Sequence, residues 1–148
     1  VITRCADPTR PYAWIGDRVM EVYRYLHDRG WAHSVETWNA QGRLVGGLYG
    51  VSVGGFFSGE SMFHDPEYGR DASKTALMRL VCELGPGLLD VQWSTPHLAR
   101  LGVIDVDRAE YLALLSDALE RPSPQWTSLD DPAWNGGHLL ERLRKMTN

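Results

Sequence analysis

Glu60, Asp90 and Gln92 are the residues whose types and spacing best equip this chain for chemistry. Glu60 follows Phe56-Phe57-Ser58-Gly59 at the end of what reads as a strand, so its carboxylate faces a glycine-rich cleft, where it can hold an ammonium group. Asp90 and Gln92 lie two apart in the short apolar run Leu88–Trp93, which reads as another strand. They share one of its faces, while Leu89, Val91 and Trp93 share the other. A carboxylate beside an amide can orient a nucleophilic amine and polarise a carbonyl. Placing such groups away from water is costly unless each finds a hydrogen-bond partner or shifts its pKa. A solvated glutamate at a strand end, and a hydrogen-bonded pair at a strand edge, are the plainer alternatives.

Other chemistries fit the sequence less well. Ser94 and His97 beside Asp90 invite a hydrolase triad, but no Gly-x-Ser-x-Gly elbow is present and the three residues crowd one strand and turn. Ser73-Lys74-Thr75 at a helix start lacks the preceding glycine pattern of a phosphate loop, although backbone amides there can still bind an anion. His27, His33, His64, His97 and His138 show no close metal-ligand spacing and Cys82 stands alone, so no metal is expected. Cys5 and Cys82 are too few for a disulfide framework and read as structural thiols.

The 148 residues, 43% hydrophobic and 23% charged, have the balance of one compact globular domain. No run approaches the roughly 18 apolar residues of a membrane span. Val1-Ile2-Thr3-Arg4 lacks a signal-peptide plan, so a soluble, cytoplasmic protein without membrane contact is expected. The missing initiating Met is expected of a fragment or a processed chain. A net charge of -4 gives no basic surplus for neutralising phosphates. Any nucleic acid must then be held by a local patch, by another domain or at its end alone.

These candidate groups need elements to position them. Asp17–His27 carries Val19, Met20, Val22, Tyr23 and Leu26 near a helical period, closed by Gly30, after an irregular stretch over residues 1–13. His33–Trp38 alternates, Asn39–Gly42 is a turn, Leu44–Val53 is a second strand and Phe56–Ser58 a third, giving an antiparallel meander. Its dense glycines read either as bulges and tight turns or as a floor cleared of side chains for a ligand. Asp71 reads as the N-cap of a helix whose stripe is Leu77, Leu80, Val81 and Leu84, ended by Gly85-Pro86-Gly87. Asp107-Arg108-Ala109-Glu110 resembles a capping box opening a helix through Leu119. The result is an α+β domain over residues 1–120, in the order α, β-meander, α, β, α. Residues 121–148 follow as a linker or strap with Trp126 and Trp134, then a short amphipathic helix over His138–Met146.

From Val1 to Leu115 the chain resembles the leucyl/phenylalanyl-tRNA-protein transferases. The likeness is carried in order by Trp14-Ile15, Tyr23–His27, Gly30–Glu36, Val45–Gly50, Gly59-Glu60-Ser61-Met62-Phe63, Ala72-Ser73-Lys74, Leu89-Asp90-Val91-Gln92 and Thr95-Pro96-His97-Leu98 with Leu101-Gly102. The resemblance implies a GNAT-like acyltransferase fold, a mostly antiparallel sheet flanked by helices. It implies an aminoacyltransferase that takes an apolar residue (Leu, Phe or Met) from the 3' end of aminoacyl-tRNA. The acceptor would be an α-amine, foremost a protein N-terminal Arg or Lys, with a small-molecule amine as an alternative.

By the same resemblance Glu60 would contact the amino group of the ester, Asp90 and Gln92 would orient the attacking amine and the ester carbonyl, and Tyr23 would shape the site. Leu48, Met62, Leu77, Leu80, Leu84 and Leu89 would line the apolar side-chain pocket, with Ser73 and Thr95 also binding substrate. The ester is already activated, so no cofactor is implied. The family carries a further N-terminal domain that contributes to binding tRNA and acceptor. The loop from His64 to Asp71 is longer than is usual beside the site, and residues beyond Glu120 have no counterpart. A CoA-dependent acetyltransferase is the rival enzyme, but Pro66–Asp71 holds only one glycine of its pyrophosphate loop. A binding module that has lost catalysis and relies on a partner chain is the third reading.

Overall fold

The computed structural model describes residues 1–10, 13–126 and 136–146. Its elements are α1 (Ile2–Cys5), α2 (Asp17–Asp28), β1 (Ala32–Trp38), β2 (Leu44–Val53), β3 (Phe56–His64), α3 (Ala72–Leu84), β4 (Leu88–Asp90), α4 (Pro96–Ala99), α5 (Arg108–Leu119) and α6 (Gly136–Met146). One four-stranded sheet runs β1-β2-β3-β4, antiparallel through β3 and parallel between β3 and β4. The architecture is α+β, with helices on both faces of a mixed sheet.

The expected order of elements holds, with corrections at their ends. The N-terminal stretch carries the one-turn helix α1 rather than being irregular throughout. The third strand continues six residues past Ser58 to His64, and the fourth stops at Asp90 instead of Trp93. Asp71 occupies the N-cap of α3 but does not cap it with its side chain. Its backbone is left-handed (φ +62°) and its carboxylate accepts instead from Lys74 Nζ at 2.6 Å. Asp107 does cap α5, accepting from the Glu110 N–H at 2.9 Å. Helix α6 starts at Gly136, two residues before the expected His138. Residues 127–135 of the expected strap, Trp134 among them, lie outside the described residues.

Successive residues of β2 point to opposite faces, and the core divides accordingly. Leu48 faces α3 and packs with Val35, Phe57, Ala76, Leu77, Leu80 and Leu84. Tyr49 faces the other way, into a cluster with Cys5, Ile15 and Phe63 that α1 and α2 complete through Ile2, Val19, Met20 and Tyr23. Phe57 and Leu80 expose no surface, and burying each contributes about 1.5–3 kcal/mol. Trp126 returns to the α3 face, stacking on the His33 ring at a centroid distance of 4.4 Å and leaning on Phe57.

Two glycines of β2 mark close packing rather than a ligand floor. A Cβ at Gly46 would run into Ala72 at the start of α3, and one at Gly50 would strike the Ser58 carbonyl and the Phe57 ring. Gly50→Ala is therefore expected to lower unfolding stability by about 1–3 kcal/mol, read as a shift in denaturant midpoint at constant slope.

At the far end of β3, Asp65 organises the loop toward α3. Its Oδ1 accepts from the N–H groups of Glu67 and Tyr68 at 3.0 Å each, and its Oδ2 from Arg4 at 3.2 Å. The Tyr68 N–H above all, then the Glu67 N–H and the Arg4 guanidinium, holds the carboxyl below its ordinary value of 3.8. A folded pKa below the unfolded one adds stability that is present above the ordinary value and is lost as pH falls through the folded one. Asp65→Asn should remove that part of the acid limb, so that the variant's melting temperature falls less steeply than the parent's below about pH 4.

Candidate active site

The antiparallel register between β2 and β3 shifts beside Tyr49. Tyr49 pairs with Ser61 and Gly50 with Gly59, so Glu60 is the extra residue of a bulge. Glu60 thus sits inside a continuing strand, not at the end of one as its sequence context indicated. The bulge also lets Phe57 and, five residues later, Met62 both pack toward α3. Ser58, two residues before Glu60, donates its hydroxyl to Glu60 Oε1 at 3.1 Å.

Beyond Glu60 the sheet opens. Strands β3 and β4 pair only at Phe56↔Leu88, Phe57↔Leu89 and Ser58↔Asp90. After Asp90 the chain turns away while β3 runs on. Gln92 is therefore not on a strand face with Asp90. It has a left-handed backbone (φ +59°), held by its own N–H donating to Asp90 Oδ1 at 2.8 Å. A non-glycine residue in this region marks strain retained where the surroundings over-determine it. The turn brings Gln92 Nε2 back to Ser58, to which it donates at 3.0 Å. The other Asp90 oxygen accepts from the Tyr111 hydroxyl of α5 at 2.7 Å. Glu60, Ser58, Gln92, Asp90 and Tyr111 form one continuous hydrogen-bonded chain.

A cavity of about 320 Å³ fills the wedge between β3 and the departing segment. Glu60 and Gln92 line it, together with Leu48, Met62, Leu77, Leu80, Leu89 and Thr95 among the expected substrate-binding residues. Leu80 is completely buried and forms its floor, while Thr95 also caps α4 by accepting from the Leu98 N–H. Trp14 and Trp93 stand exposed at the rim. Leu84, one turn beyond Leu80, is in the core away from the cavity. Ser73 is buried at the start of α3 against Gly46, also away from it. The loop from His64 to Asp71 contributes no lining residue. Asp90 instead lines a second, wider groove of about 850 Å³ between α3 and α5, which shares Leu77, Leu89, Val91, Gln92 and Trp93 with the first.

Tyr23, on α2, approaches Glu60 from the opposite face. Burial first, and then the Glu60 carboxylate, push its phenol well above the ordinary value of 10.0, so it stays a hydrogen-bond donor. Its ring meets Tyr49 edge-on at 5.1 Å. Tyr111 is likewise raised, chiefly by its hydrogen bond to Asp90. The two carboxylates are thus served by neutral donors from α2, β3, the turn after β4 and α5. His97 lines the cavity, but the Asp90 oxygens are bonded to Gln92 and Tyr111, which leaves the hydrolase-triad arrangement unformed. Among the described residues no group of three or more His, Cys, Asp or Glu is placed to hold a metal. No helix among them is long and apolar enough to cross a membrane.

The arrangement can hold an ammonium group at Glu60 and an apolar side chain in the cavity, and Gln92 offers an amide where the cavity meets the second groove. Sequence reasoning missed Ser58 and Tyr111. Ser58 stands two residues before Glu60, a spacing that places both on one strand face, and was legible to that extent. Tyr111 is 21 residues from Asp90, and nothing in the sequence joins them.

The sequence model of the leucyl/phenylalanyl-tRNA protein transferases matches residues 1–116. The chain is similar to the leucyl/phenylalanyl-tRNA–protein transferase of Rhodopseudomonas palustris (strain TIE-1), 52% identical over 125 residues, covering 81% of this chain and 54% of that protein. It is similar to those of Rubrobacter xylanophilus, 48% identical (80% of this chain, 61% of the relative), and Salinibacter ruber, 49% identical (88% and 56%). The chain spans little more than half the length of these relatives. With that match covering more than three quarters of its residues, the chain belongs to the leucyl/phenylalanyl-tRNA protein transferase family.

Proposed function

We propose that this chain provides the transfer site of an aminoacyltransferase that moves an apolar amino acid from aminoacyl-tRNA to the α-amine of an acceptor, foremost a protein N-terminus. The observation that carries the reading is the junction at Gln92 of two cavities. One is small and apolar with Glu60 in its wall, and the other is larger and opens beside Asp90. In this reading the aminoacyl side chain enters the small cavity and its ammonium meets Glu60. The divergence of β3 from β4, which makes room for the ester, supports a GNAT-like description of the fold.

In the reaction the acceptor's lone pair attacks the ester carbonyl carbon. The C–O bond to the 3' oxygen then breaks, and the amine's surplus proton leaves with that oxygen. No external energy source or cofactor is needed, because the ester bond supplies the driving force. Gln92 Oε1 accepts a hydrogen bond from the attacking amine and aims its lone pair, while Asp90 fixes Gln92 through its backbone N–H. Glu60, with Tyr23 and Ser58 as its donors, anchors the other end of the aminoacyl group. Trp14 and Trp93 offer exposed aromatic faces on which the terminal adenine can stack. With a net charge of -4 the domain engages the end of the tRNA rather than its body, in the cytoplasm where charged tRNA is made. The width and apolar walls of the second groove favour a polypeptide acceptor over a small amine.

Incubated with tRNA carrying radiolabelled leucine or phenylalanine, the chain should label a peptide beginning with Arg and leave one beginning with Ala unlabelled. Gln92→Ala should lower the transfer rate by at least about tenfold. Undiminished transfer by that variant would sink the assignment of Gln92.

Apolar contact separates substrates by only about 1–3 kcal/mol per methylene. Met62→Ala, which enlarges the cavity, should therefore shift the ratio of kcat/KM for phenylalanine over leucine upward by about tenfold, measured by competition between the two charged tRNAs. An unchanged ratio would remove Met62 from the side-chain pocket.

A further inference from the structure

Ser58 does not line the donor cavity, yet it is the link between the two residues that do the most there. It lies on β3 opposite Asp90 of β4, half-buried, at the last pairing before the strands part. Its Oγ is 3.1 Å from Glu60 Oε1 and 3.0 Å from Gln92 Nε2. An ionised Glu60 can only accept, so the single hydroxyl proton of Ser58 is committed to it. What remains on Oγ is lone pairs, and the end of the Gln92 amide facing Ser58 must then be its donor, the NH2 group. The carbonyl oxygen Oε1 is thereby left on the other side of the amide, available to the reaction.

Gln92 itself is exposed, and the terminal torsion of a glutamine is soft, so an unrestrained amide would present either end. We propose that Ser58 is a positioning residue that reads the charge of Glu60 and sets the orientation of the Gln92 amide, so that Oε1 rather than Nε2 meets the acceptor amine. This rests on the proposed transfer reaction and adds to it a residue outside the cavity. An acceptor amine must lose a proton as it attacks, and an amide turned the wrong way would offer it a donor instead of an acceptor.

The test compares Ser58→Ala with the isosteric pair Ser58→Thr and Ser58→Val, whose packing changes are alike and which differ by the hydroxyl. In the 15N-labelled chain, a Gln92 side-chain N–H should exchange slowly in the parent and in Ser58→Thr, and should lose protection in Ser58→Ala and Ser58→Val. In transfer, kcat should fall about tenfold for the Ala and Val variants, beyond any rise in KM for aminoacyl-tRNA from the lost Glu60 donor, and Ser58→Thr should recover most of it. In a Gln92→Ala background the same Ser58→Ala change should cost much less than in the parent, only what the lost Glu60 donor accounts for.

Equal amide protection and equal kcat in Ser58→Thr and Ser58→Val would overturn the proposal. So would an undiminished cost of Ser58→Ala in the Gln92→Ala background, an outcome that leaves the role of Gln92 intact. Full activity of Gln92→Ala alone would overturn both the transfer reading and this one. If the chain transfers nothing by itself, the amide-exchange comparison decides the matter.

Discussion

One extra residue in β3 sets the geometry on which the site depends. A regular strand alternates faces strictly, so Phe57 and Met62, five apart, could not both pack toward α3. The bulge at Glu60 breaks that alternation, turning the second half of the strand over while keeping it paired to β2. It returns Met62 to the apolar wall, sends Phe63 into the cluster beneath α1 and α2, and places Glu60 beside Ser58 and Tyr23. A one-residue slip would exchange these faces and put carboxylate where the apolar wall is needed. Gly50 makes the bulge feasible, because the Ser58 carbonyl and the Phe57 ring press on it so closely that no side chain fits.

The second dependence is electrostatic. Glu60 and Asp90 bring two carboxylates to one sheet end without a cation in the hydrogen-bonded chain that joins them. Their oxygens are satisfied by hydroxyl and amide donors from α2, β3, the turn after β4 and α5. Such donors stabilise charge without neutralising it, so both carboxylates keep their field for a ligand. Asp90 is consequently placed as a brace. With one oxygen on the Gln92 N–H and the other on Tyr111, it stabilises a left-handed residue that would otherwise cost of order 1–3 kcal/mol. Helix α5 thus reaches Asp90 through the Tyr111 hydroxyl, coupling the packing of that helix to the position of Gln92.

Much of this was legible in the sequence. The helical stripe of Leu77, Leu80 and Leu84, the alternation of β1 and the turn at Asn39–Gly42 each follow a period or a turn chemistry that operates within a few residues. Glu60, Asp90 and Gln92 stand out by chemical type, and the structure does bring them together. The manner of it was not legible. Asp90 and Gln92 read as a strand pair because the run is apolar and alternating. Yet β3 no longer accompanies the chain past Asp90, and the turn that replaces the strand is stabilised by the Asp90 side chain itself. The bulge left no clear mark among six glycines, and the Tyr111 contact is a property of tertiary packing alone. Ser73 and Leu84, which the resemblance would set in the substrate pocket, lie at the two packed ends of α3 and do not line the cavity.

On the proposed reading, the division of labour between the two cavities explains what kind of selectivity this domain can have. Toward the donor, the walls are leucines and a methionine, and apolar walls discriminate by size only weakly. On that reading leucine and phenylalanine would be accepted together. Toward the acceptor, the second groove is also largely apolar, but Asp90, Asp105, Lys74 and Arg108 line it as well. A site that recognises charge through buried or bridged polar groups rejects an uncharged analogue far more sharply than an apolar pocket rejects a missing methylene. Gln92 stands where the two cavities meet, so on that reading each substrate would be judged by the side chains of its own side.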